Sequence, residues 1–249
     1  MKDLYNIFLY ALLIVCSGCS RTQDLMIIDK AEHPISAQII KDMHKKRTDQ
    51  HYPSLIRIFK SENILEIWKY TYDEQYILFK TYKICTWSGL IGPKIETGDR
   101  QAPEGFYKIR ADNLNPHSRY HLSINIGFPN EFDMEHNRTG ADIMIHGGCT
   151  SAGCYAMTDR QIQEIYSIIR DSLRGKMQSY VQIQVFPFRL TKKNMDFFQT
   201  HSFYSFWKML QIGYDYFEKT HKEPIVRVLN KQYVFFKNPP EQNIISYHL

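Results

Sequence analysis

The fold of this chain is decided by the stretch Ile143-Met-Ile-His-Gly-Gly-Cys-Thr-Ser-Ala-Gly-Cys-Tyr-Ala-Met157. Its apolar start predicts a buried strand that ends at His146, and the glycines that follow predict a turn that carries Cys154. A histidine is thereby brought near a cysteine, which supplies a base and a nucleophile within reach of each other. This pairing indicates acyl transfer.

A helix follows the stretch. Thr158 and Gln161 have the spacing of a capping box, and Gly175 is suited to end the helix. The apolar residues between them recur at helical spacing at Ile162, Ile165, Tyr166 and Ile169. Because Cys154 precedes this helix closely, we expect the helix dipole to lower the pKa of its thiol.

Strand signals dominate the part of the chain before the stretch. Leu55–Phe59 alternates, residues 61–63 form a turn, and residues 65–70 resume the pattern, which predicts a hairpin. Further strands are predicted over residues 76–85, 106–110, 120–127 and 142–146, with a loop over 89–105 and a strand over 181–185 that closes the sheet. We therefore predict a mainly β (α+β) sandwich or barrel with a few helices.

The two ends of the chain differ from its centre. Residues 27–47 read as an extended lead-in with a weak helix, and from about Thr191 an aromatic stripe recurs at helical spacing. Core packing is a more common use of such a stripe than a ligand platform, so we expect the C-terminal segment to dock on the main domain. The predicted division is a signal peptide over 1–19, a lead-in over 20–54, a catalytic domain over 55–190 and a C-terminal extension over 191–249.

The N-terminus has the pattern of an export signal. Lys2 precedes an apolar run, residues 7–15, that is too short to span a bilayer. The residues after it resemble a bacterial lipobox, with Gly18 before the lipidation candidate Cys19, although Cys16 stands where Leu is usual. Lipidation would anchor the protein by acyl chains, whereas cleavage near Gly18 or Ser20 would release it. Both alternatives place the domain outside the cytoplasm.

Composition narrows the class of protein. With 249 residues, 43% of them hydrophobic, the chain can bury one good core. The net charge is +5, but Lys and Arg are interspersed with Asp and Glu, which argues against a nucleic-acid partner.

The stretch offers a full set of catalytic groups. A neutral His146 can accept the Cys154 proton and return it to a leaving amine. Gly147, Gly148 and Gly153 allow a close approach of the backbone to a substrate, and the amides of Gly153 and Cys154 are candidates for an oxyanion hole. Ser151 can add a hydrogen bond there or can stabilise the turn.

Two rival uses of the cysteines remain open. Zinc could bind to His146, Cys149 and Cys154, with His121 or His136 as a fourth ligand. Alternatively, Cys149 could form a disulfide with Cys85 or Cys154, or all three cysteines could be buried structural residues. On either reading the domain could be a non-catalytic binding module, which in the context of the resemblance described below would bind the cell wall.

The motifs also resemble a known family. His146-Gly147 followed by Ser151-Ala-Gly-Cys154 is similar to the signature of the L,D-transpeptidase (YkuD catalytic domain) family, and Ala102-Pro-Glu-Gly-Phe-Tyr107 is similar to a turn of that family. The YafK-type subgroup is resembled more closely, at Tyr82-Lys-Ile-Cys85, Gly92-Pro-Lys94, Ser118-Arg-Tyr120, Ile124-Asn-Ile-Gly-Phe-Pro-Asn130, Gly153-Cys-Tyr-Ala-Met-Thr158, Phe186-Pro-Phe-Arg189 and Gly213-Tyr-Asp-Tyr-Phe217.

The resemblance implies an exported, cofactor-free and metal-free enzyme that acts on peptidoglycan stem peptides. Cys154 would attack the carbonyl of the L-centre of meso-diaminopimelate to form a thioester, and His146 would be the base and acid, oriented by a backbone carbonyl. Transfer of the acyl group to an amine would make a transpeptidase. Transfer to water would make a hydrolase, which in the YafK-type subgroup is associated with release of a wall-linked lipoprotein. The implied location is the periplasm, with a lipid anchor at the outer membrane if Cys19 is modified.

One departure from the family leaves substrate binding open. Most of the family has an Arg two residues after the cysteine, where this chain has Ala156. We expect Arg119 or Arg138 to supply the charge that binds the substrate carboxylate. Tyr120 and Tyr155, which flank the two halves of the motif, are further candidates for substrate contact.

Overall fold

The computed structural model describes residues 29–237. The signal peptide and the lipidation candidate Cys19 lie outside these residues. Short 3-10 turns cover Lys30–Glu32 and Ala111–Asn113. The helices are α1 (Ala37–Lys45), α2 (Glu131–Glu135), α3 (Asp159–Arg174), α4 (Lys192–Phe197) and α5 (Tyr204–Thr220). The strands are β1 (Ser54–Phe59), β2 (Ile64–Tyr70), β3 (Tyr76–Lys83), β4 (Thr86–Trp87), β5 (Gly105–Ile109), β6 (Leu114–Asn115), β7 (Ser123–Asn125), β8 (Met144–His146), β9 (Tyr155–Ala156), β10 (Val181–Phe186), β11 (Ile225–Leu229) and β12 (Gln232–Phe236).

The larger sheet has the strand order β3-β2-β1-β10-β5. The predicted β1–β2 hairpin is confirmed, with Phe59 opposite Ile64 at its closed end. β10 pairs in parallel with β1 and antiparallel with β5, so it lies inside the sheet. The expectation that this strand closes the sheet was therefore wrong, because a partner on each side makes it an interior strand.

The smaller sheet has the order β4-β9-β8-β7-β6 and contains the two strands of the stretch Ile143–Met157. β8 and β9 run parallel, although only a short turn region separates them in the sequence. β4 pairs antiparallel with β9 on its other side. The strand that follows Cys154 is therefore held between two neighbours.

The larger sheet is covered on both faces. Every residue of β1 and β10 is buried, as expected for strands packed on both sides. On one face, Ile56 and Ile58 pack in a cluster that includes Ile124 and Ile145 of the smaller sheet and Ile165 of α3. On the other face, a second cluster joins Phe59, Phe106 and Phe186 of the sheet to residues of α5 and β12, namely Trp207, Leu210, Tyr214, Tyr233 and Phe235.

Local signals placed several helices correctly. Thr158 accepts a hydrogen bond from Gln161 N, and the reciprocal half of the capping box is present. The α3 helix ends at Gly175, as predicted. The weak helix near Ile39 and Met43 is α1, and the aromatic stripe lies on α5, where Trp207 is fully buried as a core residue. The predicted β-rich fold with a few helices and an aromatic, helical C-terminal segment is confirmed.

Some elements were not predicted. Neither α2 nor the hairpin formed by β11 and β12 was predicted from the sequence. No helix within residues 29–237 is long and apolar enough to cross a membrane. The division into residues 20–54, 55–190 and 191–249 stays a prediction.

Candidate active site

Cys154 and His146 lie at the junction of β8 and β9. In their parallel register Ile145 is opposite Tyr155 and His146 is opposite Ala156. Cys154 directly precedes β9, and its Sγ contacts Met144 N, two residues before His146 on β8. The cysteine and the histidine are therefore both placed by the three residues of β8 and the start of β9.

The Cys154 thiol is partly exposed and is the one free cysteine of residues 29–237. Its Sγ accepts a hydrogen bond from Met144 N at 3.3 Å and lies 3.7 Å from Asp142 O. Burial raises the pKa of the Cys154 thiol, while the Met144 N–H acts in the opposite direction. The expectation of a lowered thiol pKa from the α3 dipole was wrong, because burial outweighs the effects that favour the thiolate.

His146 is buried and held by its neighbour. Its Nδ1 lies 2.6 Å from Gly147 O. A carbonyl oxygen can only accept, so Nδ1 carries the proton and Nε2 has the free lone pair. Burial lowers the pKa of His146, and the bond to Gly147 O opposes this effect. The site therefore pairs a protonated thiol with a neutral imidazole, which suits general-base activation of the sulfur.

Tyr120 lies against the histidine. Its ring centroid is 4.8 Å from that of His146, and half of the residue is exposed. Its carbonyl oxygen accepts Gly147 N at 3.0 Å. Arg119, next to it, is exposed and forms no ion pair or hydrogen bond among the described residues. Both remain candidates for substrate contact.

The turn before Cys154 is held by two hydroxyl groups. Gly153 N donates to Ser88 Oγ, and Cys154 N donates to Ser151 Oγ, each at 2.9 Å. The prediction that these two amides form an oxyanion hole must be corrected, since both already have acceptors in this geometry. Ser151 also donates to Cys154 O at 2.7 Å, so its contacts are those of a residue that stabilises the turn. Gly153 has a φ of +127°, which favours glycine.

Gly147 and Gly148 pack the loop after β8 against the start of α3. A Cβ at Gly147 would lie 2.4 Å from Asp159 Oδ1 and 2.7 Å from Tyr120 O. The same Asp159 oxygen accepts Gly148 N at 2.9 Å. Gly147 is therefore required for close packing between β8, Tyr120 and the start of α3.

Two of the proposed substrate residues must be corrected. Arg138 is buried, and its Nη1 donates to Asp133 Oδ1 at 2.8 Å while the guanidinium packs on Phe132 and Phe206. Its charge is already neutralised inside the protein. Tyr155 is fully buried, and its hydroxyl donates to Pro103 O at 2.6 Å. A side chain in that position belongs to the core.

Comparison with known proteins agrees with the geometry. The family model described as "YkuD: L,D-transpeptidase catalytic domain" matches residues 53–183. The Escherichia coli K12 protein named "Putative L,D-transpeptidase YafK" is 46% identical over 185 residues, which are 74% of each chain. The chain belongs to the YkuD L,D-transpeptidase family.

Solved structures resemble this L,D-transpeptidase fold more distantly. The cell shape determining protein Pgp2 of Campylobacter jejuni has a TM-score of 0.45 at 15% identity, covering 84% of this chain and 98% of that one. The K307A mutant of the same protein has a TM-score of 0.46 at 16% identity, covering 78% and 89%. These likenesses are too distant to bear on function.

In this L,D-transpeptidase-family chain, Cys85 and Cys149 form a disulfide. Cys149 is therefore unavailable as a zinc ligand. The candidates for the fourth zinc ligand are also engaged, since His121 bonds Gln163 and His136 bonds Phe132 O. Within residues 29–237 no group of His, Cys, Asp and Glu side chains is arranged to hold a metal ion. The disulfide connects β4 to the loop that leads to Cys154.

Ser88 was not predicted as a site residue from the sequence. Its hydroxyl contacts the nucleophile's turn, yet it lies 65 residues before Gly153. A sequence motif is recognised from residues that are close together in the chain, so the L,D-transpeptidase motif gives no signal for a single serine at such a distance. The side chains along a strand, by contrast, alternate between its two faces. This alternation predicts that Tyr155 points away from its neighbour Cys154.

Proposed function

We propose that this protein is a peptidoglycan-modifying cysteine acyltransferase that acts on the L-centre carbonyl of meso-diaminopimelate in stem peptides. The observation that carries the proposal is the pairing of a free thiol, held under Met144 N–H, with a histidine whose Nε2 is left basic by the bond to Gly147 O. His146 ends β8, and Cys154 directly precedes β9, the strand that pairs with β8. Membership in the YkuD L,D-transpeptidase family supports peptidoglycan as the substrate.

The proposed reaction has two halves. His146 Nε2 takes the proton of the Cys154 thiol while Sγ attacks the carbonyl carbon, and the tetrahedral intermediate collapses to a thioester. The proton on His146 passes to the nitrogen of D-alanine, which leaves. An acceptor then attacks the thioester, His146 removes the acceptor's proton, and the proton returns to Cys154 as its thiolate leaves. No cofactor enters either half.

The acceptor decides the biological outcome. An amine of a second stem peptide gives a new cross-link and a transpeptidase. Water gives a hydrolase that releases a wall-linked lipoprotein, and this is the alternative for the same site. Both reactions take place in the periplasm, with lipidation at Cys19 as the proposed means of attachment to the outer membrane. Arg119 and Tyr120 are the proposed substrate contacts.

The test is mass spectrometry of muropeptides from isolated sacculi incubated with the wild type and with Cys154→Ser. A gain of direct cross-links with the wild type alone identifies a transpeptidase. A loss of lipoprotein-linked peptides with the wild type alone identifies the hydrolase. A matched control, the double variant Cys85→Ser/Cys149→Ser, removes the other two described cysteines and should retain the reaction.

A result without any change that depends on Cys154 overturns the enzyme proposal and favours a non-catalytic wall-binding module. Zinc analysis of the purified protein and iodoacetamide labelling of Cys154 then distinguish a metal-bound thiol from a free one. A stoichiometric zinc content together with a thiol that resists labelling would support the metal-bound form of that module.

A further inference from the structure

Ser88 connects β4 to the nucleophile's turn. It directly follows Trp87, the last residue of β4, and its carbonyl oxygen accepts Ala102 N at 2.9 Å. Its Oγ accepts Gly153 N at 2.9 Å and lies 3.0 Å from Ser151 Oγ. Gly153, the residue before Cys154, is thereby held by a residue that follows a separate strand.

The hydroxyl protons of the two serines have defined directions. Ser151 has one hydroxyl proton, and it is donated to Cys154 O at 2.7 Å. The bond between the two hydroxyls must therefore use the proton of Ser88, with Ser151 Oγ as acceptor. The result is a directed chain from Ser88 to Ser151 to Cys154 O.

The chain also satisfies the amides of the turn. Gly153 N donates to Ser88 Oγ and Cys154 N donates to Ser151 Oγ. The two hydroxyls thus fix the peptide groups before and after the Cα of Gly153, whose φ of +127° lies in a region that favours glycine. Fixing these peptide planes also fixes where Cys154 Sγ lies, which is under Met144 N–H at 3.3 Å.

We propose that Ser88 is a positioning residue for the nucleophile, acting through Ser151 and Gly153, an inference that rests on the proposed acyl transfer at Cys154. It touches neither substrate nor the reacting sulfur. Its role is to keep Sγ aligned with Met144 N–H, on the strand that ends at His146. A hydroxyl is required at this position, because only a group that accepts from Gly153 N and also donates to Ser151 Oγ completes the chain.

Ser88→Ala, Ser88→Thr and the control Ser202→Ala test the proposal. Ser202 is an exposed serine far along the chain, with no hydrogen bond among the described residues. We expect Ser88→Ala to lower kcat for muropeptide turnover by about tenfold or more, since small displacements of a reacting group have effects of this size. KM should change little. Ser88→Thr keeps the hydroxyl and should restore most of the rate, and Ser202→Ala should match the wild type.

A second readout does not need turnover. The rate of iodoacetamide alkylation of Cys154, measured against pH, reports how well Met144 N–H stabilises the thiolate. Ser88→Ala should move the midpoint of this profile to higher pH, and Ser88→Thr should not. A purely structural role for Ser88 would lower Tm and leave the midpoint in place, which would overturn the proposal. If Ser88→Ala does not fold, Ser151→Ala breaks the same chain one step later and should move the midpoint in the same direction.

The two proposals fail differently. If the wild type shows no turnover that depends on Cys154, the proposed function is wrong, and the alkylation profile still decides the role of Ser88. If the wild type is active and Ser88→Ala matches it in both kcat and alkylation midpoint, Ser88 has no positioning role and the proposed function stands.

Discussion

At the scale of single residues, the protonation of Cys154 and His146 distinguishes two ways to activate a thiol. A preformed thiolate–imidazolium pair needs a low thiol pKa and a high histidine pKa. Burial acts in the opposite direction on both groups here, raising the pKa of Cys154 and lowering that of His146. These directions favour a neutral resting site, and in the proposed mechanism the proton moves from sulfur to His146 as the sulfur attacks.

This neutral resting site predicts the pH dependence of turnover. In the proposed mechanism the base form of His146 is the active one, and its lowered pKa keeps that form dominant down to a pH below the ordinary histidine value of about 6.5. The midpoint of the acid limb of the kcat/KM profile should therefore lie below about pH 6.5. Alkylation of Cys154 should rise with pH to a midpoint above the ordinary cysteine value of about 8.5. A flat alkylation rate between pH 6 and pH 8 would indicate a preformed thiolate and contradict this account.

Arg119 and Arg138 were both predicted as candidates to bind the substrate carboxylate, but their substitution should have different effects on stability. Arg138→Ala leaves the fully buried Asp133 without its partner, which in general destabilises a fold by roughly 3 kcal/mol or more. Arg119→Ala removes an exposed, unpaired charge and should leave the free energy of unfolding within about 0.5 kcal/mol of the wild type. Urea unfolding measures both.

Muropeptide turnover tests whether Arg119 contacts the substrate. Arg119→Ala should raise KM for muropeptides while alkylation of Cys154 stays unchanged. If turnover is also unchanged, Arg119 does not contact the substrate.

At the scale of elements, the features that could be predicted are those whose sequence signals lie within a single helix or strand. The α3 helix was correctly bounded because its cap at Thr158, its apolar spacing and its end at Gly175 all lie within the element. The parallel pairing of β1 with β10 joins Leu55 to Gln182, and no pattern within either strand reports that partner. The same limit applies to Ser88 and Gly153. The candidate catalytic pair lies within one motif, whereas the residues that support it come from distant parts of the chain.

The disulfide acts on the same loop as Ser88. Cys85 precedes β4 and Cys149 lies in the loop before Cys154, so the two ends of β4 hold that loop by a covalent bond and by a pair of hydroxyls. Removing a disulfide of this separation, 64 residues, costs about 2–5 kcal/mol. We expect Cys85→Ser/Cys149→Ser to lose about that much stability by urea unfolding and to keep a measurable rate of turnover at 25 °C.

The wild type in a reducing agent is the control for that double variant and should show the same loss. A double variant as stable as the oxidised wild type would mean that the bond does not restrain the loop.

At the scale of the whole molecule, the C-terminal extension reaches the candidate active site through Glu104. This buried carboxylate accepts Lys60 Nζ and Trp207 Nε1, each at 2.8 Å, and Gly92 N at 2.6 Å. Burial lowers the pKa of Lys60, while the charge of Glu104 opposes this effect. The group therefore ties β1 and α5 to the loop that connects Ser88 with β5. The extension supports the loop that holds the nucleophile's turn.

The same extension covers one face of the larger sheet, and this predicts that residues 55–190 do not fold alone. Without the residues after Leu190, Phe59, Phe106 and Phe186 lose the side chains of α5 and β12 that bury them. Each large apolar side chain contributes about 1.5–3 kcal/mol when buried, so the loss of the whole cluster approaches the total stability of a domain, about 5–15 kcal/mol. A chain that ends at Leu190 should aggregate or bind the dye ANS, and should show no cooperative thermal transition by circular dichroism. A chain that ends at Lys237 keeps the cluster and should melt cooperatively like the full-length protein. Cooperative melting of the shorter chain would instead show that the extension is a separate unit, and that the catalytic region needs only one of its two covers.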